Sequence, residues 1–145
     1  MKVTCSIEGA DLVRKQIEQT GKEIDKAIKR AIDKTALAIE TDAKSKLKSD
    51  GHIITNRLRA SVHAELKNGK SFSYTDYPGN SYDGSLGEKI AADEAIAGTN
   101  VEYAPYIEFG TKYFKGDSFL GWAALKQMKL LTDRVTKEIN RILKK

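Results

Sequence analysis

The chain has 145 residues, 40% hydrophobic and 31% charged, with a formal net charge of +5 and a single cysteine, Cys5. Length and balance suit one folded domain over residues 1–145 that buries a sizeable core unaided, a globular balance rather than a disordered one. A lone cysteine excludes an intrachain disulfide, the short apolar runs exclude a membrane span of about twenty residues, and no apolar signal core follows Met1–Ser6, so the protein is expected to remain in the reducing cytosol where it is made.

In chain order, Val3, Cys5 and Ile7 alternate with polar residues, and Lys2–Ile7 reads as a short strand. From about residue 10 to 47, apolar and small residues recur at spacings of three and four (Val13, Ile17, Thr20, Ile24, Ala27, Ile28, Ala31, Thr35, Ile39, Ala43, Leu47). Acid-before-base pairs four apart line the other face, so this is a long amphipathic helix. A bend or break is expected near Gly21, because unbroken helix of that length is long for a compact domain. Ser49-Asp50-Gly51 stops it. Residues 52–61 read as a loop leading to a strand on which Val62, Ala64 and Leu66 alternate with polar neighbours. Asn68-Gly69 is a two-residue hairpin turn, and Phe72 and Tyr74 mark the returning strand. Residues 76–88 form a polar loop rich in turn residues, and Glu94–Gly98 is a further strand. Pro105 restricts Val101–Phe109 to an irregular or one- to two-turn helical segment ending at Gly110. A last helix starts at a cap, Asp117 or Ser118, and carries Leu120, Ala124, Met128, Leu131, Val135, Ile139 and Ile142 on one stripe. The fold class is α+β: a small, mainly antiparallel sheet packed against the long N-terminal helix and a C-terminal helix.

No set of residues converges on chemistry. His52 and His63 belong to no metal-ligand spacing, and His63 is placed on the outward face of its strand. Cys5 reads as a small apolar residue of the first strand. Asp76, Asp83 and Glu88 do not match a calcium loop, and Gly79, Gly84 and Gly87 form no phosphate-binding fingerprint. The residues point to no enzyme, cofactor or metal. Charge is unevenly spread. Residues 1–70 carry 15 basic and 10 acidic groups, residues 71–110 carry Lys89 against seven acids, and residues 111–145 carry nine basic groups and three acids. Such blocks suit self-association of unlike faces, or pairing within one molecule. Lys44, Lys46, Lys48, Arg57 and Arg59 cluster near the end of the long helix. They are read either as favourable charge at a helix C-terminus or as contacts for nucleic-acid phosphate or an acidic neighbour. No aromatic residues are interleaved with them for stacking on bases.

Three stretches in order carry a resemblance. Val101-Glu102-Tyr103-Ala104-Pro105-Tyr106-Ile107-Glu108-Phe109-Gly110-Thr111 looks like a Tyr-Ala-x-Tyr-Val-Glu-Phe-Gly-Thr signature. Asn56-Arg57-Leu58-Arg59-Ala60-Ser61-Val62 is similar to Asp-Thr-Gly-Arg-Leu-Arg-x-Ser-Ile, and Ser118-Phe119-Leu120-Gly121-Trp122-Ala123-Ala124-Leu125 to Pro-Phe-Leu-x-Pro-Ala-Leu. Together they resemble the tail-completion or head–tail joining proteins of long-tailed bacteriophages, typified by the tenth gene product of a lambdoid phage. This sequence departs at Thr55-Asn56, where Thr-Gly is common, at Ile54, which replaces an aspartate, and at Ser118 and Trp122, which replace prolines. Residues 76–88 stand as an insertion. The resemblance implies a structural virion protein, made in the bacterial host and placed at the head–tail junction or in a tail-completion ring. Its partners would be itself, in a ring of six formed on assembly, and other neck and tail proteins. No membrane is implied, and nucleic acid is a secondary partner; the alternative is a basic prophage accessory protein that binds nucleic acid. The family motifs mark Arg57, Leu58, Arg59, Tyr103, Tyr106, Glu108, Phe109, Phe119, Leu120 and Trp122 as candidate interface residues. Tyr103, Tyr106, Ile107 and Phe109 are too apolar for a plain loop. They are expected either to seal the core where the last helix docks or to meet the next subunit, with Arg57 or Arg59 pairing with Glu108. Trp122 is likewise core or interface.

Overall fold

Ala27, Ala31, Thr35, Ala43 and Leu47 fall four or eight residues apart, and all are buried. Residues four apart form one ridge inclined to the axis of an α-helix, so a long helix with small residues on that ridge offers a shallow track for other elements. The computed structural model describes residues 10–52 and 55–145, and the strand expected over Lys2–Ile7 lies outside them. The track is helix α1, Ala10–Ser49, 40 unbroken residues and about 60 Å at about 1.5 Å per residue. The break expected at Gly21 does not occur. Gly21 sits on an exposed side with open space where a Cβ would be, and its helix penalty of about 1 kcal/mol is spread over a long hydrogen-bonded run.

After α1 come α2 (Arg57–Ser61), β1 (His63–Leu66), β2 (Ser73–Thr75), β3 (Ser81–Asp83) and β4 (Ala95–Gly98). The remaining elements are α3 (Ala104–Phe109), β5 (Gly110–Thr111), β6 (Phe114–Lys115), α4 (Leu120–Met128) and α5 (Leu131–Leu143). The strands pair antiparallel as β1–β4, β2–β3 and β5–β6. The protein is therefore α+β, but among the described residues its sheet is divided into three ribbons.

Three expectations are corrected. Part of the loop read over residues 52–61 is the short helix α2. A turn forms there, but the Gly69 amide donates to the Leu66 carbonyl at 2.8 Å, so its central residues are Lys67 and Asn68 rather than Asn68-Gly69, and β1 and β2 do not pair. A two-residue hairpin needs positive φ at the turn, and neither Asn68 nor Gly69 has it. The 76–88 loop instead supplies β3, because Asp76 builds a turn of its own. Its carboxylate accepts the Asn80 amide at 2.8 Å and the Tyr82 hydroxyl at 2.9 Å, and Gly79 takes φ 122°. The last helix is two. At the bend the Gln127 carbonyl accepts from the Leu130 amide and the Arg134 guanidinium, so α4 ends with a satisfied carbonyl and no glycine or proline.

The core gathers Leu47, Leu58, Val62, Tyr74, Val101, Phe119 and Ala123 between the C-terminal end of α1, α2 and α4. His63 is not on an outward face. It is buried at 2% exposure and stacked on Phe72 at 4.0 Å between ring centroids, with its Nδ1 2.8 Å from the Ser61 carbonyl. Tyr74 and Tyr82 continue the aromatic stack, their centroids 5.3 Å apart.

Helix α5 runs back along α1: Arg134 donates to Thr35 at 3.0 Å, and the buried Glu138 binds Lys34 and sits 3.4 Å from Arg30 and 3.2 Å from Arg141. The Lys34 hydrogen bond, aided by the charges of Lys34 and Arg141, holds the Glu138 carboxyl below its ordinary value of 4.5. A depressed carboxyl contributes stability that is present above the unfolded value and lost as pH falls through the folded one. Thermal melts at neutral pH and at about pH 3.5 are expected to show a smaller acid-induced drop for Glu138→Gln than for the parent chain. Equal drops in both proteins would contradict this role.

Candidate functional site

Asn56, just before α2, takes φ 60°, the left-handed region that glycine enters freely and asparagine tolerates better than other side chains. That explains how Thr55-Asn56 stands where Thr-Gly is common. The next residue, Arg57, makes a forked pair with Glu102, at 2.9 and 3.0 Å, and lies over the Tyr82 ring at 4.5 Å. Hydrogen bonding to Glu102 raises the Arg57 pKa, and Glu102 is lowered by its own backbone amide and by Arg57. The pairing of Arg57 or Arg59 with Glu108 was expected across a contact with the next subunit; within the chain Arg57 is held by Glu102. Tyr103 is half-buried beside Arg57, and Leu58 belongs to the core.

Glu108 points the other way, into the start of α4. Its Oε2 accepts the amides of Phe119 at 3.0 Å and Leu120 at 2.9 Å, and its Oε1 accepts the Gly121 amide at 2.9 Å and the Ser118 hydroxyl at 2.6 Å. A carboxylate at a helix N-terminus satisfies unpaired amides and faces the positive end of the dipole. The cap ordinarily comes from the residue before the helix, but Phe119, in that place, makes no side-chain cap bond. Gly121 permits the arrangement, since a Cβ there would stand 2.8 Å from both Glu108 Oε1 and Ser118 Oγ. Ser118 contributes a cap of its own, accepting the Trp122 amide at 3.2 Å. Asp117 does not cap. It lies 3.1 Å from both Lys46 and His52, which hold its carboxyl below the ordinary range and tie this corner to α1.

Between α3 and α4 the chain makes a small hairpin, β5–β6, pinched at its base. Gly110 takes φ 84°, and a Cβ there would stand 2.3 Å from the Gly116 amide; one at Gly116 would stand 2.3 Å from the Phe109 carbonyl carbon. The hairpin and the end of α3 expose aromatic surface. Phe109 is 82% exposed, Tyr113 87% and Tyr106 60%. Trp122 is also exposed, with Lys46 and Lys126 near its ring at 5.6 and 5.0 Å. Phe119, in contrast, is buried, and Leu120 packs partly against the core. The ten motif residues therefore divide: Leu58 and Phe119 seal the core with Tyr103 and Leu120 packed partly against it, Arg57 and Glu108 brace it, Arg59 is half-buried, and Tyr106, Phe109 and Trp122 face outward. Tyr113 and the glycine pairing were missed in the sequence, and Asp117 was read only as a possible cap. Two glycines six apart, flanking Tyr113 and Phe114, were the available signal.

The basic cluster near the end of α1 is largely engaged within the chain. Lys44 pairs with Glu40 at 2.6 Å, Lys46 with Asp50 at 2.6 Å and with Asp117, and Arg57 with Glu102. Among the described residues, no group of three or more His, Cys, Asp or Glu is placed to hold a metal ion, and no helix is long and apolar enough to cross a membrane. In comparisons with known proteins, the family model described as "Bacteriophage HK97-gp10, putative tail-component" matches residues 11–110. No curated protein and no solved structure matches the chain.

Glu108→Ala is expected to lower unfolding free energy by about 2–3 kcal/mol in urea titrations, because several amides of α4 lose an ionised acceptor. The double change Phe109→Ser with Tyr113→Ser is expected to stay within about 0.5 kcal/mol of the parent, as exposed positions do. A large loss in the double variant would place these rings in the fold rather than on its surface.

Proposed function

This chain belongs to the HK97-gp10-like family of bacteriophage tail components, and from that membership we propose that it is a structural subunit of the head–tail junction, completing the tail as a ring of identical copies. As a tail component it is a structural phage protein of the virion. The observation that carries the finer reading is the exposed aromatic surface of Tyr106 and Phe109 on α3 and of Tyr113 on the hairpin that follows, a corner braced by Glu108. Single exposed apolar residues are ordinary, but large rings gathered on a braced projection suit contact with another protein. A contact of unlike faces closes into a ring when its rotation permits. The surface serves equally for a neighbouring copy and for another neck or tail protein.

Electron microscopy of lysates tests this reading. A phage or induced prophage lacking this gene is expected to give filled heads lying apart from tails, or tails with abnormal ends. Supplying the parent chain restores joined virions, whereas Phe109→Asp with Tyr113→Asp is expected to fold but restore at least tenfold fewer. Normal infectious particles from the deletion would end the junction reading.

A further inference from the structure

The two outer edges of the β1–β4 ribbon are treated differently. On the β1 side, Glu40 of α1 accepts the Ala64 amide at 2.9 Å, so a carboxylate closes that edge. Because the Ala64 N–H points away from β4, the Ala64–Ala97 pair is of the non-hydrogen-bonded kind. The alternation of an antiparallel ladder then turns the N–H and C=O groups of Ala97, and of Ala95 two residues before it, away from β1. Among the described residues no strand lies beyond β4. A cleft of about 620 Å³ borders β4 there, walled by Ile96, Val101, Ala104, Phe119, Leu120 and Ala124. An unpaired strand edge beside an apolar wall is a slot for one more strand. The main chain of that strand bonds the edge, and every second side chain meets the wall.

The sequence carries a segment of that pattern, Lys2–Ile7, in which Val3, Cys5 and Ile7 alternate with Lys2, Thr4 and Ser6. Reach decides whose segment fills the slot. Ala97 lies opposite Ala64, and Ala64 is bonded to Glu40, which stands 30 residues from Ala10 along an unbroken helix, about 45 Å at about 1.5 Å per residue. Eight residues of fully extended chain span about 28 Å at most, so Lys2 cannot come level with its own Ala97. A second copy has no such limit.

We propose that the open edge of β4 receives the Lys2–Ile7 segment of a second copy of this chain. Val13 and Ile17 of the donor, exposed on their own chain at 54% and 67%, follow the donated segment. Met128, also exposed, stands on α4 beside Ala95 and Ala97 on the acceptor side and offers matching apolar surface. Donor and acceptor surfaces are unlike, so the contact is head-to-tail and either closes into a ring or continues as a chain of copies. The inference rests on the reading of the chain as a self-associating subunit and names the contact.

Residue-resolved amide exchange by NMR tests it, using dilute full-length chain and a synthetic peptide of residues 1–9. At saturating peptide the amides of Ala95 and Ala97 are expected to exchange at least tenfold more slowly, and a peptide carrying Cys5→Pro should leave them unchanged. Unchanged exchange at β4, protection elsewhere only, or equal protection by the proline peptide would each overturn the proposal. So would β4 amides already protected at every dilution without peptide, since the edge would then be filled within one chain. The outcome is separable from the lysate experiment. Separated heads and tails without β4 protection would keep the junction role and remove this contact, whereas β4 protection with normal deletion virions would keep the contact and remove the role.

Discussion

The packing of this protein depends on one ridge of α1, whose Ala27, Ala31, Thr35, Ala43 and Leu47 let other elements approach the helix closely. Alanine gives proximity but little register, since a smooth ridge can be slid along. Register comes from polar pins set beside the ridge. Asp42 receives Gln127 and lies 3.1 Å from Lys126, Thr35 receives Arg134, and Glu138 sits among Lys34, Arg30 and Arg141. The acceptor in each pin (Asp42, Thr35 or Glu138) is half-buried or buried, where loss of its partners leaves a desolvated group unsatisfied. The ridge therefore holds α4 and α5 near α1, and the pins select one alignment. They also bend the chain between Met128 and Leu131, because Gln127 and Arg134 serve each other as well as α1.

A second constraint sits at the opposite corner. Glu108 belongs to α3 yet completes α4, so the hairpin between them is held at both ends by one carboxylate. The Asp117 amide donates to the Ile107 carbonyl at 2.8 Å, and the Asp117 side chain is anchored to Lys46 and His52 of the α1 end. Two glycines are needed where the hairpin strands pinch together, and a third where the carboxylate meets the helix. The residues that carried the family resemblance are thus largely those that build this corner. Their physical task is to make a short, otherwise marginal hairpin rigid.

How far the sequence was legible follows from which interactions are local. The long helix, the stop after Ser49, the β4 strand and the one-to-two-turn α3 segment rest on periodicity and turn residues, and each was readable. The errors came where distant groups decide. Asn68-Gly69 has the composition of a hairpin turn, but Glu40 takes the outer side of β1 and β4 the inner, leaving β2 to pair with β3. The bend at Lys129–Leu130 lacks glycine or proline because Arg134 satisfies the carbonyl that such residues ordinarily mark. In the candidate site, the motif residues were found, but their division into core, brace and surface was not. Nothing local distinguishes Phe109, with its ring in solvent, from Phe119, buried ten residues later.

The exposed apolar residues differ from the scatter usual on a soluble surface in where they lie. Tyr106, Phe109 and Tyr113 stand on a corner fixed by Glu108 and Asp117, and Val13 and Ile17 stand on a continuous helix. Both groups are presented by backbone that is already ordered. Binding through such surfaces forgoes the backbone ordering cost that a flexible loop incurs, about 1–2 kcal/mol for each residue fixed. Preformed surfaces of this kind suit a tail component that meets other phage proteins. The same rigidity explains why the fold devotes a carboxylate, three glycines and a cluster of ion pairs to a hairpin whose two strands are only two residues each. The fold itself draws little from the hairpin's exposed rings, so a binding role accounts for that investment better than stability does.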